Sequence, residues 1–139
     1  MNLELAQARD RFARSPVLRL ATAGADGRPH VVPCTFAVEG TGRIAIGIDS
    51  KPKTSANLRR LRNISENSRV SLLVDHYADD WAQLWWARAD GTAAIERSGV
   101  EHERHWELLR SKYPQYDGQN LVGPVIVVKV DSWTGWAFA

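Results

Sequence analysis

The sequence is short of several things, and each shortage excludes something. It holds one cysteine, Cys34, so no disulfide can form within the chain. A disulfide-stapled scaffold is excluded, and a lone thiol is compatible with a reducing compartment. No run approaches the ~20 apolar residues of a membrane-spanning helix. The opening MNLELAQARDRFARS alternates charged with apolar residues and lacks the apolar stretch of a signal peptide, so a cytoplasmic location is expected. Charge of one sign is scarce too: 18 Lys and Arg against 16 Asp and Glu leave +2, too little to bind nucleic acid by bulk charge. Lysine itself is rare, 4 residues against 14 Arg. Chemistry-bearing motifs are also missing. There is no G-x-G-x-x-G or Walker-type loop, no H-E-x-x-H, no C-x-x-C, no G-x-S-x-G and no notable pair of carboxylates. No catalytic side chain and no metal-ligand set stand out. That pattern suits a reaction whose chemistry resides in a cofactor, hydride transfer above all.

What is present is an ordinary soluble composition, 44% apolar and 24% charged over 139 residues, enough for one domain spanning 1–139 with a real core. Residues 2–14 predict an amphipathic helix carrying Leu5, Ala8 and Phe12 on one stripe. Alternation predicts strands at 17–23, 29–39 and 43–48, with turns at Ala25-Asp26-Gly27 and Gly40-Thr41-Gly42. In the second, His30, Val32, Cys34, Phe36 and Val38 share one face. Pro33 marks that strand as an edge or a bulge. Leu58, Leu61 and Ile64 recur at helical spacing over 54–66. Strands are predicted at 69–75, and at 81–90 and 92–97 as a hairpin across Asp90-Gly91. Ser98 to Glu101 has capping-box spacing and opens a helix to Lys112, ended by Tyr113-Pro114. A last strand follows at 124–133. The expected fold is α+β: a six- to seven-stranded antiparallel barrel, closed because closure removes exposed edges, with peripheral helices.

Ser50-Lys51-Pro52-Lys53-Thr54 is the most informative segment, with two of the four lysines and two hydroxyls just before a helix. Unpaired N–H groups and partial positive charge at a helix start suit a phosphate; the alternative is a solvated helix start with a serine cap. Six tryptophans are many for this length, and Trp81 and Trp85 are expected on one strand face with Trp86 on the other. Most are expected in the core or an interface. His102 and His105, in the charged EHERHWE, read as a solvated helix face, and Cys34 as a buried, inert thiol.

Three pieces, LRLATAGADGRPHVVPCTFAVEG, RIAIGIDSKPKTSANLRRLRNI and RVSLLVD, together resemble the pyridoxamine-phosphate-oxidase-like split barrels. More narrowly they resemble small actinobacterial members that use the 8-hydroxy-5-deazaflavin coenzyme F420; sister branches use FMN or bind haem or its breakdown products. The resemblance runs over about residues 10–136 and includes the terminal S-W-T-G-W. It implies a homodimer of two barrels with each cofactor in a groove between subunits. It places Ser50, Lys51, Lys53 and Thr54 on the phosphate turn and Val32, Pro33 and Thr35 along the ring. Trp81, Trp85 and Trp136 would lie on the opposite wall, with Trp85 shaping the acceptor pocket. One departure is that Thr54 stands where the family's turn carries lysine, with Lys53 one earlier and Pro52 between the lysines. The activity implied is hydride transfer from coenzyme F420, or FMN, to a small unsaturated or quinone-like acceptor. Two rivals remain: a non-catalytic binder of haem, bilin or flavin, with His30 or His76 as axial ligand, and a cofactor-free dimer. Neither nucleic acid nor membrane is expected as a partner.

Overall fold

The computed structural model describes residues 1–48 and 55–139, with the backbone alone at 55–58. In chain order the elements are α1 (Leu5–Arg14), β1 (Leu18–Ala23), β2 (Pro29–Cys34), β3 (Ala37–Glu39), β4 (Arg43–Gly47), α2 (Ser55–Glu66), β5 (Arg69–His76), β6 (Trp85–Glu96), α3 (Val100–Lys112) and β7 (Val125–Ala137). Short 3-10 turns occupy Trp81–Gln83 and Pro114–Tyr116. All described strands pair antiparallel in one seven-stranded sheet of order β2-β1-β5-β6-β7-β4-β3. The fold is an α+β split barrel. Its outermost strands, β2 and β3, follow one another in the chain but do not pair, so the expected hydrogen-bonded closure is not made.

Seven strands were expected, but the partition differs. The predicted strand 29–39 breaks at Thr35-Phe36, where the backbone leaves one edge of the sheet and joins the other. Pro33 sits on β2, an edge strand, where its missing N–H costs no ladder bond. The predicted hairpin at Asp90-Gly91 is not a turn; residues 85–96 form one strand, and Trp81 falls before it in a 3-10 turn. The register against β7 shifts at this point, with Asp90 opposite Ser132 and Gly91 opposite Val130, so Asp131 is an extra residue bulged from β7. Glycine is required there: a Cβ at position 91 would lie 2.1 Å from the Lys129 carbonyl oxygen. The local turn signal gives way to twelve residues of continuous pairing.

The strand side chains alternate between two faces. The inner face joins Leu18, Leu20, Cys34, Ile44, Ile46, Leu72, Val74, Ala87, Ala89, Ile126 and Val128 with Phe12 of α1 and Leu61 and Ile64 of α2 in the main core. The outer face is divided. Over β3, β4 and the first half of β7, α3 lays down Trp106, Leu109 and Tyr113 against Ala37, Ala45 and Val125. Over β2, β1, β5 and the far half of β6 no described element covers it, and Val31 and Leu73 are 64% and 37% exposed.

Candidate functional site

β2 runs along an open edge, where alternate backbone N–H and C=O groups have no strand partner among the described residues. Its inner-face residues meet α2, the helix that follows Thr54 in the chain. Three contacts seat that helix. Asn63 Nδ2 donates to Thr22 Oγ1 (3.1 Å), and the Ala25 N–H donates to Glu66 Oε1 (2.8 Å). The third is the close approach of α2 to Gly24, where a Cβ would lie 2.5 Å from Glu66 Oε1. The seat brings Arg60 Nη1 to 3.1 Å from Cys34 Sγ. Burial pushes the Cys34 thiol up from its ordinary range, and the Arg60 guanidinium partly offsets that. Cys34 is therefore a buried thiol, as its setting among apolar residues suggests. His30 lies on the same face. Burial, then the charges of Arg59 and Arg60, lower its pKa and favour the neutral ring. Its Nδ1 is a buried atom with no hydrogen-bond partner among the described residues.

The break after β2 is held from the side. Tyr113 Oη accepts from the Phe36 N–H (3.0 Å) and lies 2.9 Å from both the Phe36 and Pro16 carbonyl oxygens. Tyr116 Oη is 2.7 Å from Thr35 Oγ1. Sequence reasoning missed both tyrosines, reading Tyr113 only as a helix stop. The available signal was that a tyrosine beside a helix end carries a polar tip needing a partner when its ring is buried.

Ser50, Lys51, Lys53 and Thr54 lie outside the described residues. Val32, Pro33 and Thr35 come together at the end of β2, but on different faces: Val32 packs toward the core while Pro33 is exposed on the outer side. Trp85 and Trp136 do not join them within one chain. Trp85 packs inward beside His76 (ring centroids 6.2 Å apart, 20° between planes), with the Arg11 guanidinium 5.4 Å from its ring. Trp136 pairs across strands with Trp86, which puts both on the bare outer face. That bare region forms an apolar depression of about 500 Å³ between Val31, Ala21, Leu73 and Trp86, rimmed by the ion pairs Arg19–Asp75 and Arg88–Asp90. Trp106 and Trp133 are structural: their indole N–H groups donate to the Gly123 and Thr41 carbonyls.

The expectation for α3 is overturned. His102 and His105 are buried, not solvated; His105 has no exposed surface. His102 Nε2 lies 2.7 Å from the Gly123 carbonyl. His105 sits between Glu96 (Nδ1 to Oε1, 2.7 Å) and Glu39 (Nε2 to Oε1, 3.3 Å), and Arg104 pairs with Glu39 as well. The helix is also capped differently, starting after Gly99 with no side-chain cap.

The sheet order and the unpaired edge strands define a split barrel. The sequence model of the pyridoxamine 5'-phosphate oxidase family matches residues 5–137, and the chain belongs to that family. Over 58 residues it is 41% identical to a 5a,11a-dehydrotetracycline/5a,11a-dehydrooxytetracycline reductase of Streptomyces rimosus. That match takes in 41% of this chain and 38% of the reductase, so the chain spans well under half of that relative's length. Among solved structures, an FAD-binding protein from Mesorhizobium loti superposes with a TM-score of 0.73 at 18% identity, over 97% of this chain and 95% of the other. A haem storage protein from Vibrio cholerae superposes with a TM-score of 0.71 at 20% identity, with the same coverage. At these identities the likeness is one of fold. No helix among the described residues is long and apolar enough to cross a membrane.

Proposed function

We propose that this protein is a homodimeric oxidoreductase that passes a hydride from reduced coenzyme F420 to a small unsaturated or quinone-like acceptor. The observation that carries the reading is the open edge of β2, seated against α2 with the His30 Nδ1 atom left without a partner among the described residues. An edge of unpaired amides and carbonyls fits the polar rim of a flavin-type ring. When bound, the coenzyme supplies the hydride; this chain's residues bind and orient it. Val32, Pro33 and Thr35 set the ring edge, with Thr35 positioned by Tyr116. Ser50, Lys51, Lys53 and Thr54 would take the phosphate. The apolar outer face supports pairing of two barrels, and a partner's Trp136, which lies on that face, would form the opposite wall. The reductase relative and the FAD-binding fold relative favour redox chemistry. FMN is the second reading of the cofactor, since it too presents a phosphate and a tricyclic ring.

Titrating both cofactors against the purified protein separates the readings, with absorbance near about 420 nm for the deazaflavin and about 450 nm for oxidised FMN. Lys53→Ala should raise the dissociation constant about 10- to 150-fold, the worth of one charge-assisted hydrogen bond. Arg62, exposed on α2, is the control, since Arg60 is bonded to Cys34; Arg62→Ala should leave binding unchanged. A folded protein that binds neither cofactor, or that binds only haem, overturns the proposal.

A further inference from the structure

A second patch of the outer face carries charge that the fold itself does not use. Pairing registers place Arg69 opposite Thr92, Thr92 opposite Lys129, and Lys129 opposite Arg43. These four residues form one row across the neighbouring strands β5, β6, β7 and β4. Strands lie about 4.8 Å apart, so three cations and one hydroxyl fall within a backbone span of about 14 Å. Like charges on directly opposed residues, as at Lys129 and Arg43, destabilise a sheet. Among the described residues Arg43, Arg69 and Lys129 make no ion pair. The two carboxylates best placed to pair with them are engaged elsewhere. Glu39, directly opposite Arg43, is bonded to Arg104 and His105, and Glu96 is bonded to His105. Three of the four, Arg43, Lys129 and Thr92, line a cavity of about 540 Å³ with Ser68, Ala93, Ala94 and Val127, and Arg69 follows Ser68 in the chain just outside that lining. Glu96 lies at the far end, four residues along β6 from Thr92.

We propose that this cavity is an organic-diphosphate site, with Arg43, Lys129 and Arg69 holding the two phosphates, Thr92 and Ser68 donating to them, and the ligand's apolar part lying over Ala94 and Val127. The shape selects the class. Arg43 and Lys129, opposed in the lining, would take one phosphate, and a second phosphate lying along the row past Thr92 would extend toward Arg69. Guanidinium groups bind phosphate oxygens through paired N–H donors, and lysine adds a compact charge between them. The small floor residues leave room for an apolar body beside the charged end, and Glu96, held by His105, ends the pocket. This inference does not rest on the cofactor reading above, which uses β2 and residues 50–54.

The test uses the full chain and inorganic pyrophosphate as probe, at low salt, followed by calorimetry and by amide chemical shifts. Pyrophosphate should bind saturably at one site per chain, shifting Ser68, Thr92, Ala94 and Lys129. Orthophosphate should bind several-fold more weakly, and succinate, a dicarboxylate control, more weakly still. Arg43→Ala and Lys129→Ala should each weaken pyrophosphate binding about tenfold or more, as for loss of a charge-assisted bond; Arg28→Ala, on an exposed turn, should not. Without ligand, Lys129→Gln should melt at a higher temperature than the unaltered protein, because it removes the middle charge of the row. Three results would each overturn the site: pyrophosphate no tighter than succinate, binding unchanged in an Arg43→Ala/Lys129→Ala double variant, or binding abolished by Lys51→Ala/Lys53→Ala and untouched by changes in the row. The last would assign the anion to residues 50–54, support the cofactor reading and sink this one.

Discussion

The outer face of the sheet offers a comparison within one molecule. Over β3, β4 and the start of β7, α3 covers it and buries Trp106, Leu109 and Tyr113 together with Ala45 and Val125. Over β2, β1, β5 and the end of β6 the same sheet is bare, though Val31, Leu73 and Trp86 there are as apolar as the residues beneath α3. Apolar area removed from water stabilises by about 25 cal/mol per Å², so the covered half contributes to the fold of the single chain and the bare half does not. An apolar face left open in that way marks an interaction surface. The two halves should therefore respond differently to the same kind of damage.

The largest effect is expected at Trp106, only 2% exposed and donating to the Gly123 carbonyl. Trp106→Ala should cost about 3–5 kcal/mol in urea unfolding. A loss below 1 kcal/mol would mean that α3 is only loosely attached, and the contrast between the halves would disappear. His105→Leu comes next. It leaves Glu39 and Glu96, both three-quarters buried, without their shared partner, at about 1–3 kcal/mol by the same assay. Gly47→Ala is smaller. A Cβ there would lie 2.5 Å from Trp106 Cη2, so the helix must shift, at about 1–2 kcal/mol with a blue or red shift of indole fluorescence.

The order of strands and helices was legible in the sequence, the division of the outer face was not, and the failures have physical causes. The faces of β2 followed from alternation alone, since period 2 survives whatever the strand pairs with. Pro33 marked an edge correctly because the missing N–H is a local fact. Asp90-Gly91 misled because a turn propensity is local, while the pairing of β6 with β7 is decided over its whole length. α3 misled for another reason. His102, His105, Trp106 and Leu109 sit at i, i+3, i+4 and i+7, the spacing of a buried helical stripe, but imidazoles in a charged run read as solvated. Their partners, Gly123, Glu39 and Glu96, are distant in sequence or belong to other elements, so nothing local showed that the histidines would be satisfied inside. Of the candidate site, alternation placed Val32 and Pro33 on opposite faces of one strand, as found. It could not show that Trp85 and Trp136 face opposite ways, because that depends on the cross-strand register.

Lys112 tests the rim of the covered half. Its ammonium donates to the Ala13 and Ser15 carbonyls and lies 3.6 Å from the centre of the Phe36 ring, tying α3 to the end of α1. Burial lowers its pKa from 10.5 to about 8. A lysine whose folded pKa is depressed binds fewer protons in the folded than in the unfolded chain between those values, so stability from this group rises with pH across that window. Below it both states are protonated and the penalty for burying the charge is fully present. The amine is half exposed, so solvent screening keeps the effect small. Comparing melting temperatures at pH 7.5 and 9.5, roughly the two sides of the folded value, the unaltered protein should gain relative to Lys112→Met. An identical pH response in the two proteins would place the amine at its ordinary pKa.

The smallest effect on the single chain, and the most informative, is expected on the bare half. Val31 is 64% exposed on an edge strand, so Val31→Lys removes little buried area and puts a residue common on protected edges in its place. The stability of the isolated chain should change by no more than about 0.5 kcal/mol. If a second copy covers this face, as the proposed homodimer requires, the same substitution drives a charge into an apolar interface and association is lost. Two measurements separate these consequences. Sedimentation should show a dimer for the unaltered protein and a monomer for Val31→Lys. Melting of the unaltered protein should rise with protein concentration, because association favours the folded state by mass action, while that of Val31→Lys should not. Leu73→Lys, placed on β5 of the same depression, should reproduce the result, and Ala94→Lys, outside it, should leave the dimer intact. A monomeric, concentration-independent unaltered protein would show that the bare half is open in solution, and the composite cofactor groove would fall with the dimer.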